Sequence, residues 1–280
     1  MLTWQIGAVR VTQIVELTTA SLGPFVLPQA TPELMQKEPW LRPFLDADGK
    51  IVLSIHSLVV ESQGQRLLVD TCIGNDKQRN YPRWNGMQTD FLTKLSHAGY
   101  APDAIDTVMC THMHVDHVGW NTRLVDDRWV PTFTNARYLF AELEWEYWRN
   151  EEQEFGPVIE DSVQPIFDSG LADLVSQTHK VTDEVWLEPT PGHTPGHVSV
   201  HIASQGEEAV ITGDMIHHPC QISHPDWSSA VDWDAQTSAA TRDSFLDRYA
   251  DRPVLVIGTH FAAPTAGHIV RDGKVFRLDY

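Results

Sequence analysis

The sequence is poor in cysteine, in long apolar stretches and in positive charge. Cys72, Cys110 and Cys220 are its three cysteines, and their odd number and wide spacing argue against a disulfide framework. No stretch approaches the ~18 apolar residues of a membrane span, and the N-terminus lacks a basic region followed by an apolar core. We therefore expect a soluble, cytoplasmic protein that does not act at a membrane.

The scarcity of basic residues also bears on partners. Twenty Lys and Arg against 38 Asp and Glu give a formal net charge of −18 over 280 residues. A surface of this sign repels a phosphate backbone at long range, so nucleic acid is excluded as an expected partner. The 42% hydrophobic content is enough for a substantial core, and we expect one globular domain over residues 1–280.

The strongest chemical signal is the motif H-x-H-x-D-H at residues 112–117, directly after the apolar run at 105–111. His112 and His114 alternate as an extended segment allows, so both imidazoles can point the same way. Asp116 and His117 follow where the chain turns away. Imidazole and carboxylate ligands suit Zn, Mn, Fe or Co, so the motif predicts a metal site.

Three further potential ligands follow later strands. His193 lies in the Gly- and Pro-rich turn at residues 190–197, Asp214 follows an apolar run at 210–212, and His260 follows another at 254–257. Single histidines at strand ends are usually structural, but their coincidence with the motif favours metal ligation. Asp70 also ends a strand, where it either orients a metal ligand or caps the glycine turn that follows.

Apolar periodicity predicts two sheets packed together with helices outside, an α+β architecture. The segment at 18–50 contains five prolines and predicts a long irregular loop, which either roofs a pocket or contacts a second subunit in a homodimer. Strands are predicted at residues 4–16, 51–61, 66–70, 105–111, 137–140, 184–188, 198–203, 209–212, 254–257 and 267–278. Helices are predicted at residues 88–97, 142–154, 161–175 and 234–250.

These motifs resemble the metallo-β-lactamase fold superfamily over nearly the whole chain. The resemblance implies a four-layer αβ/βα sandwich with two metal ions at the edge between its sheets. The implied ligands are His112, His114 and His193 for the first ion, Asp116, His117 and His260 for the second, and Asp214 as the bridge between them.

Departures from related branches narrow the resemblance. Asp214 stands where some metallo-β-lactamases have cysteine, and too few residues follow His260 for the helical domain of glyoxalase II-like enzymes. The chain is most similar to the branch of N-acyl homoserine lactonases, methyl parathion hydrolase-like phosphotriesterases and arylesterases. The lactonases have a substrate-contacting Tyr where this chain has His217, so His217 is either a donor to the substrate oxygen or structural. His197 and His218 are assigned to ligand support or packing.

The resulting prediction is a hydrolase of carboxylic esters or lactones that uses hydroxide shared by two divalent ions, with zinc expected and manganese, iron or cobalt as alternatives. Asp116 would also carry a proton to the leaving group. Trp84, Trp120 and Trp227, with the aromatics and prolines of residues 18–50, either help to form an apolar substrate pocket or belong to ordinary core and rim packing. Phosphotriesters and β-lactams are candidate side substrates. The alternatives are a mononuclear iron dioxygenase acting on sulfur compounds and a non-catalytic metal-binding protein.

Overall fold

The computed structural model describes residues 1–151 and 153–280. Its strands are β1 (Thr3–Ile6), β2 (Val9–Thr19), β3 (Leu53–Ser62), β4 (Gln65–Val69), β5 (Thr107–Met109), β6 (Thr122–Val125), β7 (Arg128–Pro131), β8 (Arg137–Ala141), β9 (Ala172–Val175), β10 (Val185–Pro189), β11 (Val198–Ser204), β12 (Glu207–Ile211), β13 (Val254–Ile257), β14 (Ala266–Asp272) and β15 (Val275–Asp279). Its α-helices are α1 (Gly23–Val26), α2 (Pro32–Met35), α3 (Phe91–His97), α4 (Glu142–Trp148), α5 (Gln164–Asp168), α6 (Cys220–Ser223) and α7 (Ala235–Tyr249).

The strands form two large sheets. The first has the order β1-β2-β3-β4-β5-β8-β9, the second has the order β10-β11-β12-β13-β14-β15, and β6 and β7 pair as a separate hairpin. Side chains of alternate residues point to opposite faces of a strand. Leu67 and Val69 of β4 therefore belong to one hydrophobic core cluster, with Val200 and Ile211 of the second sheet, and Leu68 belongs to a second core cluster. The helices α3 and α7 pack in that cluster as well. The predicted α+β sandwich is confirmed.

Parallel pairing brings the metal-site loops to one place. β4 and β5 are parallel with Val69 opposite Met109, so Asp70 and the motif leave the same edge of the first sheet. β12 and β13 are parallel with Ile211 opposite Ile257, and the chain leaves them towards Asp214 and His260. Each sheet therefore delivers its polar residues from the carboxyl ends of a parallel pair.

Several sequence predictions need correction. The helix predicted at 161–175 is wrong in its second half, because Gly170 adopts a φ of +71° after α5 and residues 172–175 then form β9. The helix predicted at 142–154 ends at Trp148 as α4. The final predicted strand is the hairpin β14–β15, and the hairpin β6–β7 was not predicted. None of the helices within the described ranges is both long and apolar enough to cross a membrane.

The segment at 18–50 is less irregular than predicted. Residues 18 and 19 still belong to β2, and the remainder contains α1, α2 and a 3-10 turn at Pro39–Phe44. Each of these short elements has a proline at its start, where the missing N–H costs no hydrogen bond. The prolines therefore begin helical turns here rather than only interrupting structure.

The loop after the motif depends on a close backbone contact at Gly119. The Gly119 amide donates to the Cys72 carbonyl at 2.8 Å, and a Cβ on Gly119 would lie 1.8 Å from the carbonyl oxygen of Ile73. We expect Gly119→Ala to lower the free energy of unfolding by about 3 kcal/mol because the two loops must separate. Urea unfolding followed by circular dichroism measures this loss.

Gly64→Ala is the matched control for this prediction. Gly64 has a φ of +79° in open space, so its substitution adds backbone strain of about 1 kcal/mol and no clash. Equal losses for the two variants would show that the contact between Gly119 and Ile73 does not constrain the loop.

Candidate metal centre

The structure brings the three histidines implied for the first ion into contact. The Nε2 atom of His112 lies 3.1 Å from His114 Nδ1 and 3.2 Å from His193 Nε2, and the last two atoms are 2.9 Å apart. His112 and His193 are buried, and His114 is partly exposed. Three ring nitrogens therefore converge from the motif loop and the 190–197 turn, as three ligands of one ion would.

The residues implied for the second ion form a neighbouring group. Asp116 has its two carboxylate oxygens 3.6 Å from His117 Nε2 and 3.6 Å from His260 Nε2. Asp116, His117 and His260 each offer one ligand atom, and these atoms lie close enough together to bind a single ion. Asp116 is the more exposed member, because its side chain keeps 15% of its surface accessible against 1% for His117.

Asp214 lies between the two groups. Its Oδ2 atom is 3.5 Å from His193 Nε2 in the first group and 3.3 Å from His117 Nε2 in the second. Its Oδ1 atom is 3.1 Å from His260 Nε2. The carboxylate therefore contacts both sets of imidazoles, which is the position of a bridging ligand.

Carboxylates outside the cluster fix two of the imidazole rings. His117 donates from Nδ1 to Asp70 Oδ2 at 2.9 Å, and His193 donates from Nδ1 to Asp232 Oδ1 at 2.8 Å. An ionised carboxylate only accepts hydrogen bonds, so each Nδ1 carries a hydrogen, and in the neutral ring each Nε2 presents a lone pair to the centre. Of the two roles considered for Asp70, the structure shows orientation of a predicted ligand.

Two more rings are fixed by uncharged acceptors. His260 donates from Nδ1 to the Ser54 carbonyl at 3.0 Å. Thr111 donates its hydroxyl to Asp70, so its oxygen is left to accept from His112 Nδ1 at 3.0 Å. These contacts also direct the Nε2 lone pairs of both rings towards the centre.

This arrangement fits metal ions. Burial lowers the pKa of His112 and His114 well below the ordinary value and that of His193 to about 4, so all three are neutral near pH 7. Neutral imidazoles that point lone pairs at one another repel unless a cation lies between them. The donor set of six imidazole or carboxylate ligands around one shared carboxylate is suited to two borderline divalent cations.

The second group can hold either protons or metal. Burial alone would lower the pKa of His117, but the carboxylates of Asp214, Asp70 and Asp116 raise it well above its ordinary value. The Nε2 atom of His117 has no hydrogen-bond partner among the described residues. A cation bound there would therefore displace a proton, and metal affinity should rise with pH.

Sequence reasoning missed two supporting residues, Asp232 and Glu144. Glu144 of α4 is buried and accepts from the Met113 amide at 3.2 Å and the Gly196 amide at 2.8 Å. It thus ties the motif loop to the 190–197 turn. Neither residue belongs to a motif, and no sequence signal distinguishes either from the other acidic residues.

His197 and His218 have different roles. His197 accepts from the Asp214 amide at Nε2, 2.9 Å away, and donates from Nδ1 to the Thr190 carbonyl, so it supports the bridging residue. His218 contacts the Phe44 carbonyl at 3.0 Å, and its imidazole packs edge-on against the Phe44 ring. The first therefore holds a predicted ligand, and the second is a packing residue.

A narrow cavity of about 50 Å³ opens on Asp116, Asp214, His217 and His260. Its apolar walls include Leu22, Phe25, Val26, Trp84, Val115 and Phe155. The 18–50 segment thus contributes to the walls.

Of the three tryptophans expected at the pocket, only Trp84 is among the described residues that line this cavity. Trp120 is buried elsewhere and donates to Glu16, and Trp227 stacks on His224. For Trp120 and Trp227 the structure therefore supports the packing alternative, because sequence position does not reveal which buried aromatic side chain faces a cavity.

We expect Asp70→Asn and Asp232→Asn each to weaken metal binding by about 10–100-fold, because each removes the charge that orients one imidazole. Asn tolerates the φ of +56° at Asp70, so backbone strain does not obscure the effect. Competition with a chromophoric chelator measures both affinities. Asp70→Asn should weaken the ion beside His117 and Asp232→Asn the ion beside His193, and unchanged affinities would contradict this orienting role.

The N-acyl homoserine lactonase AiiA of Bacillus thuringiensis subsp. kurstaki is 25% identical over 176 residues, which cover 58% of this chain and 64% of that protein. The chain thus spans less than two thirds of the length of this curated relative.

Two solved structures share the fold over 99% of this chain. AidC, a dizinc quorum-quenching lactonase, has a TM-score of 0.79 at 21% identity with 96% of its chain covered. The hydrolase AbOPH has a TM-score of 0.78 at 23% identity with 95% covered. The sequence profile of the metallo-beta-lactamase superfamily matches residues 51–260, a span that contains every predicted ligand. The chain therefore belongs to the metallo-beta-lactamase superfamily.

Proposed function

We propose that this chain is a metal-dependent hydrolase that cleaves carboxylic esters or lactones. The observation that carries the proposal is the buried carboxylate of Asp214, which contacts two adjacent groups of imidazole and carboxylate ligands. The names of the curated relatives, N-acyl homoserine lactonases, support a lactone or ester as the substrate.

The proposed ligands are His112, His114 and His193 for one ion, Asp116, His117 and His260 for the other, and Asp214 for both. Two divalent ions supply Lewis-acid polarisation of the substrate oxygen and lower the pKa of bound water. We propose zinc on the precedent of the dizinc AidC, with manganese, iron or cobalt as alternatives. Asp70 and Asp232 hold the ligand rings in the required tautomer.

Asp116 is proposed to move the proton as well as to bind metal. It is the carboxylate of the cluster whose side chain is the most open to the cavity. It can therefore accept a proton from the attacking water at one oxygen and release it to the departing alkoxide.

His217 is proposed to donate a hydrogen bond to the substrate oxygen. Its ring lines the cavity and its Nε2 atom lies 3.3 Å from Asp214 Oδ2, yet neither ring nitrogen makes a hydrogen bond to a described residue. His112, His117, His193 and His260 differ, because each has its outward nitrogen anchored. An unanchored ring can turn one N–H towards a developing oxyanion, which a rigid metal ligand cannot do.

The cavity supports an uncharged substrate. Among the described residues that line it there is no Lys or Arg, and most of its walls are apolar. A free carboxylate or phosphate on the substrate would lie near Asp116 and Asp214 without a cationic side chain to bind it. Esters and lactones meet this condition, and neutral phosphotriesters or β-lactams could react as side substrates.

Two other functions compete with this proposal. A mononuclear iron dioxygenase needs only one of the two ligand groups, and a non-catalytic metal-binding protein needs no cavity beside the metal.

The proposed partner is a small-molecule substrate, and the acidic charge argues against nucleic acid. A homodimer through residues 18–50 and a cytoplasmic location remain predictions.

We expect Asp214→Ala and His114→Ala to abolish hydrolysis of p-nitrophenyl esters and of lactones in a folded chain, because each removes a ligand of the proposed ions. Circular dichroism verifies the fold, and initial rates of substrate hydrolysis measure turnover. The exposed His97 lies on α3 and His97→Ala serves as the histidine control. Wild-type turnover in either ligand variant would contradict the proposed site.

His217 is tested by two substitutions. His217→Leu keeps an apolar side chain without a donor, and we expect kcat to fall about 10²-fold with metal content unchanged. His217→Gln keeps an N–H donor and should recover part of the loss. If His217→Leu instead loses metal, the residue is a ligand, and if kcat is unchanged it is structural.

A further inference from the structure

A buried ionic cluster lies outside the metal centre. The Arg79 guanidinium donates to both carboxylate oxygens of Asp161, at 2.6 and 3.0 Å. Lys77 donates from Nζ to the Asp161 carbonyl at 2.9 Å and to the Thr122 hydroxyl at 2.5 Å. The side chains of Lys77 and Arg79 have no exposed surface, and that of Asp161 is 6% exposed. None of these groups takes part in the proposed chemistry.

The cluster anchors a closed loop. The Gly86 amide donates to the Lys77 carbonyl at 2.8 Å, and the Arg79 amide donates to Asn85 Oδ1 at 3.0 Å. The loop between these contacts carries Trp84, whose ring lines the cavity beside the metal centre. The position of Trp84 thus depends on where Lys77 and Arg79 are held.

The same loop also holds Phe155. Asn80 donates its amide to the Phe155 carbonyl at 3.0 Å and its side-chain Nδ2 to the Glu154 carbonyl at 2.8 Å. The rings of Trp84 and Phe155 have centroids 5.6 Å apart, and Phe25 meets Phe155 edge-on at 6.1 Å. Loop and aromatic wall therefore form one packed unit.

Directional bonding distinguishes this cluster from an ordinary core. A buried ion pair seldom adds more stability than apolar residues of similar volume would, because desolvation offsets its Coulombic attraction. A bidentate Arg–carboxylate pair does fix orientation, since two parallel hydrogen bonds allow one geometry. Here the Arg79–Asp161 pair fixes the position of the loop that carries Trp84. It fixes this loop relative to Asp161 and to the segment between Phe155 and Asp161.

We propose that Arg79 and Asp161 are positioning residues for substrate selection. They hold Trp84 and Phe155 against the metal centre, so that the cavity admits only a small uncharged group on the acyl side of the substrate. The cavity of about 50 Å³ is small enough for that restriction, and a neighbouring cavity of about 260 Å³ beside His114, His193 and Phe155 has room for the rest of the substrate. The inference rests on the proposed ester or lactone hydrolysis, but it concerns which substrates enter rather than how they react.

The test replaces the pair while preserving volume. The double variant Arg79→Met with Asp161→Leu removes the bidentate bond. It also removes the Asp161 carboxylate 3.6 Å from Lys77 Nζ, so Lys77 keeps only its hydrogen bonds to the Asp161 carbonyl and the Thr122 hydroxyl. We expect the ratio of kcat/KM for p-nitrophenyl hexanoate over p-nitrophenyl acetate to rise about tenfold or more, with metal content unchanged. Trp84→Ala should shift the ratio in the same direction, because it opens the wall itself.

A surface pair provides the matched control. Arg137 of β8 and Asp173 of the edge strand β9 also form a bidentate pair, but both side chains are exposed. Arg137→Gln with Asp173→Asn should leave the ratio unchanged. If the buried double variant fails to fold, Asn80→Ala removes one link between the loop and the chain at Phe155 from the exposed side, and it should produce a smaller rise in the same ratio.

A binding measurement separates this inference from the proposed function. Calorimetric titration of metal-loaded protein with acetamide and with hexanamide, which are uncharged, reports acyl-size selection without any turnover. If no ester or lactone is hydrolysed but acetamide binds more tightly than hexanamide and the double variant reverses this, the proposed function fails and the positioning role stands. An unchanged ratio of the two amide affinities in the folded, metal-loaded variants would overturn the positioning role, whatever the hydrolytic rates.

Discussion

A buried carboxylate faced by imidazole lone pairs is the constraint on which the rest of this structure depends. Asp214 lies within 3.5 Å of Nε2 atoms from His117, His193 and His260, all in the protein interior. Such a cluster is stable only if cations or protons lie between the donors. The pKa of Asp214, which burial alone would raise, is held well below its ordinary value by the facing imidazoles of His117, His260 and His217 when these rings carry a proton.

The fold meets this constraint by fixing each ligand from behind. Two parallel strand pairs, one in each sheet, deliver their loops to a shared edge. Asp70 and Asp232 orient imidazoles, His197 holds the Asp214 backbone, and Glu144 joins two of the ligand loops. The candidate metal centre is thus preorganised by groups outside the proposed ligand set, while Asp116 and His217 face the cavity.

The parts of this site that could be predicted are those with a local signature. The H-x-H-x-D-H motif and the polar residues after apolar runs lie next to strands whose carboxyl ends must meet, and the structure brings all seven predicted ligands together. Asp232 and Glu144 could not be predicted because their partners are distant in sequence. Residues 172–175 were misassigned because pairing with β8, a tertiary effect, decides their conformation. Asp126 and Asp127, both at positive φ, form the turn of the hairpin β6–β7. An Asp-Asp pair between two short strands is a sequence signal for such a turn, because Asp tolerates this conformation.

Metal content measured together with turnover is the decisive test of whether this chain is a hydrolase with two metal ions. Protein purified without chelator is analysed for metals, then assayed on p-nitrophenyl esters, lactones and paraoxon before stripping, after stripping and after metal is restored. We expect about two ions per chain, with ester or lactone hydrolysis lost on stripping and recovered with zinc, manganese or cobalt. One iron per chain with oxygen consumption, or bound metal without turnover, would contradict it.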